Sequence, residues 1–343
     1  MPPARDVPRL ARRAVGQLHR EVRPWVDRAR GAVAAAREAW RATAPQGPGS
    51  AAAPSVSFGN TRTLSAALSE DAFRARAPDL GVRGDAGWSL RELAPREASA
   101  ARDELLHEGY VVLPSIVPTD ACRALVRATE ALEADGLPAT FLYAYDDAWA
   151  LGAHAVRLAT ALAGAPMDLL ADLWAFRVPP RDDAAGWTPH RGVTIPLRQS
   201  GFPSLVTVWV ALSDAPAHGA CMHFVPLHRD AAYPHALHHA RPRAEHGRAV
   251  PMAAGSVLLF DANALHWGGG SSRRAEPRVS ITYSAGRRGA GHGEVLTPPL
   301  SFDERLRRIA EAIVTYAPRE PSLGGAPLAW AMTTARASGT AAP

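Results

Sequence analysis

"AGSVLLFDANALHWGGGSSRRAEPRVSITY", residues 254–283, decides the fold class of this chain. Ser256 to Asp261 is a buried-type strand. A short turn follows, then His266 and a run of glycines, and a second β-rich segment begins near Val279 and runs to Ala285. Working outward, Tyr110–Leu113, Leu173–Val178, Leu205–Leu212 and Ala220–Val225 read the same way. These strands are joined by long Gly-, Pro- and His-rich connections with no helices between them. That pattern predicts a mainly β fold with flanking helices and an antiparallel jelly roll or sandwich at its centre.

The flanks read as helix. "PTDACRALVRATEALEADG" predicts a helix with Thr119 or Asp120 as N-cap and Gly136 as its stop. "SFDERLRRIAEAIVTYA" (301–317) carries a capping box, Ser301 with Glu304, and an apolar face of Leu306, Ile309 and Ile313. Four regions follow: a basic helical arm over 1–43, a linker and unassigned segment over 44–98, the jelly-roll domain over 99–300, and a C-terminal helical extension over 301–343. The arm reads as a solvated helix. Docking to a membrane surface or a carrier protein, and self-association, are the other roles open to it.

The chain has 343 residues, 47% of them hydrophobic, and a formal charge of +5. Every basic side chain is arginine. Ten arginines against four acidic residues lie within residues 1–43, so the remaining chain is close to neutral and offers no basic face for nucleic acid. Cys122 and Cys221 read as small buried hydrophobes in a reducing compartment. No apolar run approaches the ~20 residues of a membrane span. No hydrophobic leader with a cleavage site is seen, so a cytoplasmic location is expected.

Of thirteen histidines, two stand out. His190 follows Pro189 at the entry to an extended segment, "WTPHRGVTIP", and His266 closes the quoted strand and turn. Strand ends supply the rigid support that a neutral, metal-binding imidazole requires. Arg278 follows twelve residues after His266, two before Ser280. An arginine directed into a barrel is costly to bury unless it meets an anion, so a carboxylate partner is expected. One strand-end histidine alone is more often structural than a ligand; the ordered set carries the reading. "YPHALHHA" (233–240) reads as a loop, and His218, His223 and His228 read as surface or turn residues.

In that order, the segment from about residue 99 to 290 resembles the phytanoyl-CoA dioxygenase-like family of Fe(II)/2-oxoglutarate oxygenases. "LHEGYVVLPSIVPTDACRAL" is similar to the family's N-terminal signature, "VTVWVALSDAPAHGACMHFVPLH" to its central strand pair, and the stretch quoted first to its distal segment. The resemblance implies a double-stranded β-helix of cupin type, acting on a small molecule with Fe(II), 2-oxoglutarate and O2. It makes His190 and His266 the iron ligands. Arg278 becomes the partner of the distal carboxylate of 2-oxoglutarate with Ser280 beside it, and Trp209 lines the cosubstrate pocket.

The departure is Gly192, where the family pattern His-x-Asp supplies a carboxylate to the metal. Three readings follow. A halide such as chloride fills the vacated position, as in the radical halogenases of the superfamily that carry His-x-Gly or His-x-Ala. Alternatively, water or a carboxylate from elsewhere (Asp182, Asp183, Asp214 or Asp261) completes the site of a hydroxylase. Lastly, the protein is a non-catalytic jelly-roll binding protein. The joint retention of His190, His266, Arg278 and Ser280 favours the first two.

Overall fold

A computed structural model describes residues 64, 67–83, 87–181, 187–192, 198–199, 201–233, 244–318, 320 and 323–337. The predicted arm over 1–43 and the first part of the 44–98 segment, through residue 63, lie outside these residues. The helices are α1 (Glu70–Arg76), α2 (Pro95–Glu108), α3 (Thr119–Ala134), α4 (Asp146–Ala163), α5 (Phe302–Tyr316) and α6 (Gly325–Ala337). The strands are β1 (Tyr110–Leu113), β2 (Met167–Val178), β3 (Arg198–Gln199), β4 (Phe202–Pro203), β5 (Leu205–Ala211) and β6 (Met222–Phe224). They continue with β7 (Arg248–Val250), β8 (Val257–Asp261), β9 (His266–Gly268), β10 (Arg278–Arg287) and β11 (Val295–Leu296).

A major sheet in the order β1-β8-β5-β10-β2-β11 is accompanied by a minor sheet, β7-β6-β9, and the short hairpin β3-β4. Every pairing is antiparallel. This is the jelly roll with flanking helices that the strand pattern predicts. Helices cover one face of the major sheet. Val206, Val208 and Val210 of β5, Val257 and Leu259 of β8, and Val279 and Ile281 of β10 are buried in that helix-covered core. Their alternate neighbours Trp209, Ala211, Leu258 and Phe260 belong to a second apolar cluster facing the barrel interior. Burial on both faces explains why β8 reads as an unbroken apolar run rather than an alternating one. The segment left unassigned by the sequence also reaches the core, through Leu64, Leu68, Phe73, Leu80 and Val82.

Local chemistry sets the element ends. Gly109 closes α2 at φ +87°, a left-handed conformation open to glycine, and the chain turns directly into β1. Helix α5 has the predicted capping box, with Ser301 Oγ accepting from the Glu304 amide and the Glu304 carboxylate accepting from the Ser301 amide at 2.8 Å, a motif contributing about 1 kcal/mol. The N-cap expected at Thr119 or Asp120 is corrected. Pro118 occupies that position in an extended conformation without a side-chain cap, and Asp120 accepts from the Ala121 amide instead. Strand β2 begins six residues before the expected Leu173, at Met167. Cys122 and Cys221 are free and buried.

Candidate active site

The two histidines meet through their backbones. The amide of each donates to the carbonyl of the other at 3.0 Å, an isolated antiparallel bridge. Residues so paired project their side chains to the same side. Their imidazole centroids lie 4.3 Å apart with the planes at 53°. Two imidazoles meeting one ion at about 2.1 Å, near a right angle, hold their centroids roughly 4.5 Å apart.

Tautomers are fixed by the same design at both positions. His190 Nδ1 lies 2.7 Å from the Thr188 carbonyl and His266 Nδ1 lies 2.9 Å from the Ala264 carbonyl. A carbonyl only accepts, so each Nδ1 carries the proton and each Nε2 carries the lone pair that a metal takes. Burial, and then the neighbouring His190, push the His266 imidazolium pKa down to about 3. The native ring is therefore neutral while the unfolded one protonates near pH 6.5. It follows that metal-free protein loses about 1.4 kcal/mol of stability per pH unit from this site as pH falls from about 6.5 to about 3. Chemical unfolding in EDTA across that range checks the slope, and a His266→Gln variant is expected to lack it.

Gly192 lines the same cavity. A Cβ placed on it would lie 3.0 Å from the Ala262 carbonyl oxygen, so the two backbones approach closely enough to disfavour a side chain here. Between the two site positions, Arg191 turns away into the protein. Its guanidinium donates to the Asn263 carbonyl at 2.6 Å and to Asp230 Oδ2 at 2.7 Å, both partners of the ion pair being buried. Asn263 and Ala262 belong to the turn between β8 and β9, so Arg191 ties His190 and Gly192 to the strand that carries His266.

Arg278 is 2% exposed and opens β10. Among the described residues no carboxylate reaches it: Nε has no partner and the Nη1 acceptor is Met222 Sδ at 4.0 Å. The Phe176 and Trp209 rings flank the guanidinium, each centroid 5.5 Å from Cζ. Burial pushes its pKa down to about 10. An unpaired buried cation facing a cavity is costly, and an anionic ligand is what relieves it. The residues present therefore fit both groups the sequence implies, a divalent metal at the histidine pair and a carboxylate ligand at Arg278. Ser280, two residues on from Arg278 along β10, is fully buried, and its hydroxyl has no partner among the described residues.

The cavity, about 110 Å³, brings His190, Gly192, His266, Trp209 and Arg278 together. It also shows what the sequence missed. Alternation on β2 directs Asp172, Trp174 and Phe176 to the cavity, and Thr282 and Ser284 of β10 lie beside them. The pattern D-x-W-x-F was the available signal. Trp187, and Tyr316 at the end of α5, close the mouth against Trp174, with centroids 4.9–6.3 Å apart. Two of the other candidate carboxylates meet partners elsewhere. Asp261 accepts from Tyr233 and from the Asn263 amide, Asp214 accepts from the Ala254 amide, and Asp182 and Asp183 lie outside the described residues.

Among solved structures the chain is similar to the non-heme alpha ketoglutarate-dependent epimerase SnoN from nogalamycin biosynthesis. That match has 23% identity and a TM-score of 0.47, and covers 60% of this chain and 95% of that one. It is also similar to HygX from Streptomyces hygroscopicus with nickel and 2-oxoglutarate bound, at 18% identity and TM-score 0.43, covering 55% and 87%. No curated protein matches. No described helix is long and apolar enough to cross a membrane. Residues 143–275 match the family model Phytanoyl-CoA dioxygenase (PhyH), a span holding both histidines, Gly192 and Trp209. Residues 143–275 of this chain are therefore similar to the PhyH family.

Proposed function

We propose that this protein is an Fe(II)/2-oxoglutarate-dependent oxidative enzyme acting on a small molecule, and that it halogenates its substrate. The observation carrying the first part is the unpaired, buried Arg278 in one cavity with the His190–His266 pair. His190 and His266 would hold the metal through Nε2. Arg278 would bind the distal carboxylate of 2-oxoglutarate between Phe176 and Trp209. When bound, iron with 2-oxoglutarate and O2 supplies the oxidising equivalent that removes a hydrogen atom from an unactivated carbon. The aromatic mouth of Trp174, Trp187 and Tyr316 excludes water from that chemistry.

Halogenation rests on Gly192. It faces the cavity and offers the metal no oxygen, and among the described residues the one carboxylate lining the cavity is Asp172. A chloride or bromide there would restore both the missing ligand and the missing negative charge. Hydroxylation is the second reading, and the Ala262 carbonyl favours it: the close approach of two backbones accounts for a glycine without a halide.

Chloride titrated into anaerobic protein holding Fe(II) and 2-oxoglutarate is expected to shift the visible charge-transfer band, and product mass should carry the halogen. Gly192→Asp is expected to suppress halogenation, with Gly192→Ala as the control that meets the Ala262 carbonyl without adding a carboxylate. A spectrum and a product indifferent to chloride would leave hydroxylation. If Fe(II) and 2-oxoglutarate fail to raise the melting temperature, the protein is a binding module and no enzyme.

A further inference from the structure

The cavity carries opposite charges at its two ends. Arg278, Thr282 and Ser284 lie on one face of β10, and Ser284 is six residues from Arg278, about 20 Å along an extended strand. At the outer end Asp172 accepts from Ser284 Oγ at 2.7 Å and from the Tyr316 hydroxyl. Two hydroxyls thus orient an exposed carboxylate at the mouth, and among the described residues no cation pairs with it. Next to it stands the wall of Trp174, Trp187 and Tyr316. Trp174 is 4% exposed, and among the described residues neither its buried Nε1 nor that of Trp187 has an acceptor. Buried donors in a native structure call for a partner, and these two belong to side chains that line the cavity.

We infer that the outer end binds the substrate as a protonated amine. The ammonium group lies on Asp172 and the aromatic faces, and an acceptor oxygen of the same molecule meets the tryptophan Nε1 donors. The reading draws on three separate requirements: a carboxylate for the cation, electron-rich rings beside it, and an oxygen for the unpartnered indoles. Separation of charge also sorts ligands. An anionic cosubstrate is drawn to Arg278 and repelled from Asp172, while a cationic substrate is held away from the guanidinium. The substrate class rests on the cavity being the active site.

Metal-free full-length protein keeps the two questions apart, because an amine cannot then ligate the ion. By calorimetry at pH 7, 2-phenylethylammonium is expected to bind about tenfold more tightly than 2-phenylethanol, with 3-phenylpropionate weaker than either at this end. Asp172→Asn is expected to erase the preference, and Tyr316→Phe, which keeps the carboxylate and the ring, to retain most of it. Equal binding of the cation and the alcohol by the wild type overturns the inference, whether or not the variants fold. So does a preference that survives Asp172→Asn. The thermal shift given by Fe(II) with 2-oxoglutarate reports separately on the active-site reading: it fails alone if the shift is absent while the ammonium preference stands.

Discussion

Asp230→Ala lowers the stability of the protein by about 3–5 kcal/mol, the cost of leaving a buried charge without its partner. Asp230 Oδ2 lies 2.7 Å from the Arg191 guanidinium, whose side chain is 1% exposed. Removing the carboxylate strands that cation, since the Asn263 carbonyl that it also meets is uncharged. The consequence reaches the site, because Arg191 stands between His190 and Gly192 and holds both to the β8–β9 turn. Denaturant unfolding should show the loss, with a fall in melting temperature on the order of 10 °C. Metal affinity should fall with it. Replacing both partners by apolar residues of similar volume is expected to recover most of the stability but not the metal affinity, which separates the charge cost from the positioning. A loss under about 1 kcal/mol for Asp230→Ala would mean that water relieves Arg191.

Arg278→Met is expected to stabilise the empty protein and to remove most of its stabilisation by 2-oxoglutarate. At pH 7 the guanidinium remains charged, since its pKa, though pushed down to about 10 by burial, stays well above neutrality. The native state therefore bears the full cost of that burial, about 3 kcal/mol at 1.36 kcal/mol per pKa unit. This penalty persists at every pH below about 10. A methionine of similar length lifts it, so the metal- and ligand-free variant is expected to melt at or above the wild-type temperature. 2-Oxoglutarate narrows that difference, because it stabilises the wild type far more than the variant. Wild-type protein gains about 2.7 kcal/mol at a ligand concentration of 100 Kd. The variant loses on the order of 2–5 kcal/mol of cosubstrate binding and should gain less than about 1 kcal/mol at the same concentration. A variant that is both less stable when empty and still stabilised by 2-oxoglutarate would remove Arg278 from the cosubstrate site.

What could be read from the sequence was local. Strand Tyr110–Leu113 and the Ser301–Glu304 cap were legible because each depends on neighbours within a few residues. His190, His266 and Arg278 were legible as an ordered set whose convergence the family resemblance implied, although the backbone bridge that joins the two histidines was not. Asp172 escaped notice because β2 was expected to start one residue after it, and the alternation that aims it at the cavity starts earlier. Tyr316 could not be placed at all. It belongs to a surface-type amphipathic helix and meets Asp172 across 144 residues of chain. The Ala262 carbonyl against Gly192 was equally hidden, since no pattern of residue types reports how near two backbones come.

The reciprocal amides of His190 and His266 bear on how the proposed site would take up an ion. In many metalloproteins the donors gather only around the metal, and affinity is diminished by the freedom they surrender. Here peptide groups have already fixed the separation of the two nitrogen donors. Loading is then a matter of filling a clamp of set width. An ion that prefers a different angle between its nitrogens cannot widen it without breaking two main-chain hydrogen bonds. The identity of an ion held at the proposed site would thus be partly chosen by the barrel, before any third ligand arrives.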